Sequence, residues 1–394
     1  NLMIDRSITP SNDRFATNGA HDALIGGQKI ATLGAFLSVF VALLLTISPS
    51  IAQSDESYKL VTLNDELRWP WCVAELPEGG FLITEREGRL IHLRSDGGKT
   101  VLEGTPETYF AGQGGYFDVV LGPDFESDRQ IYLSYAAGDA DANGTAVYRA
   151  TFEDGKLSNG ETIVRVARDK DTAHHYGGKL LFLPDDSLLI TTGEGFEYRE
   201  EAQSLESELG KVLRVSADGE PLGIMGRDET TRLRIWTYGH RNPQGLAVDS
   251  ESGTIFLHEH GPRGGDEVNV LVQGNNYGWP AVTEGLDYSG AYVSPFKRAP
   301  GMEEAIWSWV PSIAPSGMAW YDSSEFPEWR SSLFLGALVD EEVRRLEIAN
   351  DGVVREEALF AELEQRIRDV RVFNGKIYIV TDGEIGSLIR VDKR

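Results

Sequence analysis

From residue 53 onward the apolar positions fall in short alternating runs, with little of the spacing that marks a helix. The recurring unit is a turn, a short apolar strand, a small or polar residue, and another turn. Early copies are GGFLITEREGRL (79–90), RQIYLSYAAG (129–138) and DDSLLITTGEG (185–195). Later copies are SGTIFLHEHG (252–261), RSSLFLGALV (330–339) and GKIYIVTDGE (375–384). Runs rich in Ile, Val, Leu and aromatics, bounded by Gly and Asp, read as strands joined by turns. Repeats at a period of about sixty residues with no helix between the strands favour propeller blades. A blade needs four strands, and RLIHLRS (89–95) and TAVYRATF (145–152) are examples of the others. The fold class predicted is all-β: a six-bladed β-propeller of four-stranded antiparallel blades. A large β-sandwich, or a pair of them, is the alternative. The propeller accounts better for the polar ends of the conspicuous strands, which are expected to be innermost and to line a central channel. Two stretches read as helical insertions between strands. They are 197–215, with Gly210 as a stop, and 356–370, for which a loop with one helical turn is the alternative.

The first fifty residues are a different object. The stretch 30–47, IATLGAFLSVFVALLLTI, carries no charge; Lys29 precedes it and Ser50-Ile51-Ala52 follows. That is the layout of a secretory signal peptide cut after Ala52. An uncleaved anchor is the alternative, because roughly 18 apolar residues nearly span a bilayer. The chain therefore divides into 1–52, a polar segment plus signal or anchor, and 53–394, the propeller. Either reading places the propeller outside the cytoplasm, periplasmic or secreted, or tethered there by its N-terminus.

Composition narrows the partners. Of 394 residues, 62 are acidic and 37 basic, a net charge of −25. Nucleic acid is thereby disfavoured, since phosphate binding needs a basic face. The single cysteine, Cys72, forms no internal disulfide and no thiolate metal site. It reads as a buried strand residue after Trp71. No G-x-S-x-G elbow, Walker loop or Rossmann fingerprint in its proper context is present.

The candidate chemistry is concentrated in 236–280. This stretch holds His240, Arg241, Asn242, Gln244, Glu259, His260, Arg263, Asp266 and Glu267 in two polar, glycine-rich loops around the strand TIFLHEH. Carboxylates and exposed backbone carbonyls are hard oxygen ligands and suit calcium. Zinc is less suited, with seven histidines in the chain and no thiolate cluster. His174 and His175 precede a Gly-Gly turn, and a histidine at a channel mouth can act as a general base. Gln113 lies between glycines before a strand and either hydrogen-bonds a ligand or closes a turn. Arg366 and Arg368 are two apart, so on a strand they face one way and can grip carboxylates. Surface pairing with Glu362 and Glu364 is the plain alternative.

YGHRNPQGLA (238–247), EHGPRGGDEVN (259–269) and NNYGWP (275–280), in that order, resemble the soluble quinoprotein sugar dehydrogenases. The resemblance is strongest to the aldose sugar dehydrogenase branch and runs from about Trp69 to Val391. It implies a six-bladed propeller that uses pyrroloquinoline quinone and Ca²⁺ to oxidise aldoses at the anomeric carbon. A lactone leaves, and electrons pass to an external acceptor. On this resemblance His175 is the base. Gln113, Arg241, Asn242 and Tyr288 contact the quinone, and Arg241 also stabilises charge on it. Arg366 and Arg368 pair with its carboxylates. The carbonyls of Gly261 and Pro262 hold the cofactor's calcium, while Glu267 and the Tyr277 carbonyl serve a second one. Two positions depart from the pattern. Val339 stands where many relatives have a lysine, beside the acidic run Asp340-Glu341-Glu342. Tyr176 stands where an aromatic without a hydroxyl is common. A non-catalytic or quinone-deficient sugar- or protein-binding propeller and a calcium-dependent lactone hydrolase are the competing functions. Monomer and dimer are both compatible with the sequence.

Overall fold

The computed structural model describes residues 57–153, 155–223, 234–350 and 352–394. The apolar stretch 30–47 lies outside them. Among the described residues no helix is long and apolar enough to cross a membrane. The described chain forms six antiparallel sheets of four strands each. The first blade comprises Pro70–Glu75, Phe81–Glu85, Arg89–Leu93 and Lys99–Val101, and four more follow in chain order. The sixth takes Ile367–Phe373, Lys376–Thr381 and Gly386–Lys393, and its fourth strand is the N-terminal Tyr58–Leu67. There Tyr58 pairs with Lys393 and Leu60 with Val391, so the two ends of the domain close one sheet. The β-propeller predicted from the repeats is the fold observed.

Burial explains why the repeats were visible. The second strands, such as Leu188–Thr192 and Ile255–Glu259, are buried along their whole length because neighbouring blades cover both faces. The outermost strands, such as Lys156–Arg165, are largely solvated. Apolar clusters fill the spaces between blades, for example Phe117, Leu133 and Tyr135 with Trp71 and Leu82.

Two expectations are corrected. The conspicuous strands are second in each blade, not innermost. The ring around the axis is made by Pro70–Glu75, Tyr116–Leu121, Gly177–Phe182, Pro243–Val248, Pro315–Tyr321 and Ile367–Phe373. The helix expected at 197–215 is absent, and at 356–370 the alternative of one helical turn is what is found. Each region holds one short 3₁₀ turn, Arg199–Gln203 and Ala361–Leu363, and the rest joins sheets as Lys211–Val215, Gly352–Leu359 and Ile367–Phe373. Ladder hydrogen bonds with neighbouring strands outweigh the modest helix preference of Glu, Leu and Lys.

The innermost strands share a further feature. Each slips register against its neighbour near its first residues: at Pro70/Cys72, Tyr116/Val119, Gly177/Leu180, Pro243/Gly245, Pro315/Met318 and Ile367/Asp369. A bulge releases a side chain from the alternating pattern and re-aims it. Trp71, Phe117, Gln244 and Arg368 lie in these gaps, and all four line one cavity to which every blade contributes.

Further along the same innermost strands lies a buried polar cluster. The Lys179 ammonium donates to Asp369 Oδ1 at 3.0 Å and stands 3.8 Å from Asp118 Oδ2. Arg371 Nε donates to Asp369 Oδ2 at 2.8 Å, and Nη2 pairs with Asp118. The thiol of Cys72, buried as expected, lies 2.7 Å from Asp118 Oδ1. Burial pushes this thiol well above its ordinary pKa, so it is held protonated and unreactive. Burial also pushes the Asp369 carboxyl up, but Arg371 and Lys179 outweigh it and hold that group below the usual carboxylate range. Gly317 is required beside this cluster, because a Cβ there would lie 1.8 Å from Asp369 Oδ1.

Candidate active site

All six blades contribute to a cavity of about 420 Å³ at the end where the innermost strands begin. This volume falls in the range of small-molecule sites. Trp69, Trp71 and Arg86 come from the entry to the first blade and the turn after its second strand, Gln113 and Phe117 from the start of the second blade, and Tyr176 and Gly177 from the start of the third. Asn242, Gln244 and His260 belong to the fourth blade and its loops, Ala314 and Leu338 to the fifth, and Arg366, Arg368 and Asp382 to the sixth.

His175 stands at the edge of this cavity, next to lining residues Tyr176 and Gly177. Its backbone is left-handed, with φ of 48°, an uncommon conformation for a non-glycine residue and one that tends to mark functional positions. The His175 N–H donates to Gln113 Oε1 at 2.8 Å. The ring Nδ1 lies 3.0 Å from Glu194 Oε1 and packs edge-on against Phe196. The carboxylate partner places the proton on Nδ1 and leaves Nε2 as the acceptor. Burial, then the Arg241 charge, pushes the His175 pKa well below its ordinary value, so the ring is neutral. Burial pushes the Glu194 carboxyl up to about 7, and its buried Oε2 has no hydrogen-bond partner among the described residues.

Arg241 is held at its backbone and at the tip of its side chain. Its N–H donates to Glu259 Oε2, and Nη1 donates to the Gly261 carbonyl at 2.7 Å and the His260 carbonyl at 3.2 Å. Its Nε is buried without a hydrogen-bond partner among the described residues, and Tyr288 approaches Nη2 at 3.5 Å although the tyrosine is 60% exposed. Glu259 also holds His240 Nδ1 at 2.8 Å, so HRNP is fixed by one carboxylate of the next strand. Asn242 Oδ1 accepts from Gly177 N–H at 3.2 Å and Gln244 Nε2 at 3.2 Å, tying the fourth blade to the third.

Gly261, Glu267 and Tyr277 line a second, small cavity together with Arg241 and Glu259. At about 10 Å³ it has room for one water-sized guest. A Cβ at Gly261 would meet Gly264 and Gly265 carbonyl oxygens at 2.3 Å, so only glycine fits. Pro262 packs near Gly285 and is not in the lining. Desolvation and the neighbouring Glu259 push the Glu267 carboxyl up to about 8, an environment that a cation would relieve. Asp266, a candidate ligand from sequence, instead accepts from Ser312 Oγ at 2.6 Å and from the N–H groups of Gly261, Ile313 and Ala314 at 2.9 Å. No group of three or more His, Cys, Asp or Glu side chains suited to a metal occurs among the described residues. A cation here would therefore rely on backbone oxygens together with Glu267, a hard donor set suited to calcium.

Arg366 and Arg368 both line the cavity, although Arg366 precedes the strand and Arg368 sits in its register slip, so strand alternation is not what brings them together. Both engage Asp382, each through Nε at 2.9 Å, and not Glu362 or Glu364. Sixteen and fourteen residues separate these pairs, so no local pattern announced them. Glu194 was also missed, although GEG at the end of an apolar strand is a visible place for a carboxylate. Arg86, Trp69 and Phe196 gave no signal at all. Val339 is 58% exposed next to lining residue Leu338, and Asp340 and Glu342 beside it are paired with Arg344. The Tyr176 hydroxyl donates to Asn143 Oδ1 at 2.6 Å, and the Lys170 ammonium sits 3.4 Å from the centre of its ring.

The sequence matches the glucose/sorbosone dehydrogenase family over residues 67–390. It is 39% identical over 367 residues to the aldose sugar dehydrogenase of Escherichia coli, covering 91% of this chain and 99% of that one. The crystal structure of the soluble E. coli aldose sugar dehydrogenase in the apo form superposes with a TM-score of 0.82 at 40% identity, covering 86% of this chain and 100% of that one. The PQQ-bound aldose sugar dehydrogenase of Streptomyces coelicolor superposes with a TM-score of 0.67 at 26% identity, covering 85% and 98%.

Proposed function

This chain belongs to the glucose/sorbosone dehydrogenase family, and from that premise we propose that it oxidises aldoses at the anomeric carbon with pyrroloquinoline quinone (PQQ) and calcium. The observation that carries the reading is the buried His175–Glu194 pair at the edge of a cavity with arginines in its lining. The PQQ-bound relative supports the choice of cofactor.

The residues fit a planar tricarboxylate. Arg366 and Arg368 would hold its carboxylates, and Gln113 and Asn242 would meet its polar edges. The orphaned, buried Arg241 Nε and the Arg241 guanidinium would face developing negative charge, where a fixed donor is worth most. The carbonyls of Gly261 and Pro262 would hold the cofactor's calcium, and Glu267 with the Tyr277 carbonyl a second one. Tyr288 would close the open side. The quinone supplies the hydride acceptor when bound.

His175 Nε2 takes the proton of the anomeric hydroxyl. Glu194 keeps the ring in the tautomer that can do so and balances the imidazolium that forms. Arg241, in the same reading, lowers the energy of the charge-bearing state. The propeller works outside the cytoplasm, and an external acceptor removes the electrons.

The test is dye reduction by purified protein with an aldose, PQQ and Ca²⁺. Turnover that appears only with the quinone supports the reading; none in any aldose contradicts it. Its pH profile is a second check. Glu194 must be ionised to orient His175, and its pKa lies near 7, so kcat/KM rises with pH through that value. A profile flat from about pH 5.5 to 8 contradicts the paired role. The stability effect has the opposite sign. The folded state holds the Glu194 proton between the ordinary 4.5 and about 7, so this contribution favours folding at low pH and is lost as pH rises through that window.

A further inference from the structure

Three arginines line the large cavity, but they are not equivalent. Arg366 and Arg368 share the carboxylate of Asp382. Arg86 has no carboxylate partner among the described residues. Its Nη2 donates to the carbonyls of Gly112 and Gly114, its guanidinium lies 5.5 Å from the centre of the Phe110 ring, and its Nε is buried with no hydrogen-bond partner among the described residues. Burial, and then Arg368, press the Arg86 pKa down to about 10 against the weaker pull of Asp382, which lies beyond hydrogen-bond reach, and still leave it cationic at neutral pH. The backbone beneath is fixed: the Arg86 N–H donates to the Trp69 carbonyl at 2.9 Å, and its own carbonyl accepts from Tyr116 at 3.2 Å. Across the cavity the fifth blade supplies only Ala314 and Leu338, so that wall brings no charge.

A half-buried guanidinium whose buried Nε–H is unused and which no carboxylate reaches by hydrogen bond is placed to take an anion. We propose that Arg86 is a binding residue for the anionic planar cofactor, offering one carboxylate the only cavity guanidinium that no protein carboxylate already engages. This rests on the quinone reading above. Arg86 completes the charge balance: the lining sets three guanidinium groups against the one carboxylate of Asp382. It also couples cofactor and base. Its two carbonyl partners flank Gln113, whose side chain holds the His175 backbone.

The experiment is a PQQ titration of the purified full chain with Ca²⁺, followed by quenching of tryptophan fluorescence, since Trp69 and Trp71 line the cavity. Wild type, Arg86→Met, Arg86→Gln and Arg86→Lys are compared at two salt concentrations, with thermal unfolding of each apo-protein. Arg86→Met and Arg86→Gln are expected to bind about ten- to a hundredfold more weakly, the scale of a hydrogen bond between charged groups, and with a shallower salt dependence. Arg86→Lys is expected to recover most of the loss. If Arg86→Met does not unfold cooperatively, Arg86→Gln against Arg86→Lys decides. Neutral variants within about twofold of wild type, or a lysine variant as weak as they are, would overturn the inference while leaving the quinone reading intact. No saturable binding by wild type would overturn the quinone reading itself.

Discussion

His175→Ala is expected to lower turnover by about 10²- to 10⁴-fold, the usual contribution of a positioned general base, while the PQQ dissociation constant changes by less than about threefold. The separation follows from geometry. The imidazole contributes the acceptor Nε2, and alanine has none. The contact that ties this residue to the cofactor side is made by the backbone N–H, which donates to Gln113 Oε1 at 2.8 Å and survives the substitution. The φ of 48° is less common for alanine than for histidine but open to both, so the backbone can keep this contact at a small cost. Glu194 loses its partner, but its raised pKa of about 7 lets it take up a proton and remain buried as the neutral acid. Steady-state rates with saturating aldose and dye, alongside a binding titration, check both halves. Undiminished turnover in the variant would remove His175 from the mechanism; lost binding would make it a cofactor ligand first and a base second.

Arg371→Met is expected to destabilise the propeller by about 3–5 kcal/mol, the cost of leaving buried charge uncompensated. Arg371 donates to Asp369 at 2.8 Å, pairs with Asp118 and lies 3.1 Å from the Cys72 sulfur. Removing it leaves two buried carboxylates against the single ammonium of Lys179. The innermost strands of the first, second, third and sixth blades meet in this cluster, so the loss reaches the ring as a whole. Denaturant unfolding measures it, and a change below about 1 kcal/mol would show that the cluster is not the keystone described. Adding Asp118→Asn to the variant should restore part of the loss, because Lys179 stays 3.0 Å from Asp369 but 3.8 Å from Asp118, which is left without a close cation.

Much of the architecture was readable because the information is local. Alternation, turn glycines and the lack of helical spacing between 79 and 384 identify strands one at a time, and six similar units leave few ways to bury their faces. The choice of innermost strand was not local. Leu188–Thr192 looks more like a core strand than Gly177–Phe182, yet closing the ring puts the glycine-led strand on the axis. The helix expected at 197–215 failed for the same kind of reason: Lys211–Val215 pairs with strands on both sides, which its composition does not reveal. At the site, glycine-rich motifs marked the loops that gather around Arg241, Asn242, Gly261 and Glu267. Their partners were harder to see. Glu194 lies nineteen residues from His175, and Asp382 lies on another strand from the arginines it holds. Arg86, in a loop after an ordinary strand, becomes informative only when the lack of a bonded carboxylate is seen in three dimensions.

The central claim is that this cavity holds pyrroloquinoline quinone with calcium. The most direct measurement is a calorimetric titration of purified apo-protein with the quinone, in Ca²⁺ and again after chelation. The account predicts one saturable site per chain whose affinity falls when Ca²⁺ is removed. No saturable uptake, or uptake indifferent to Ca²⁺, would contradict it.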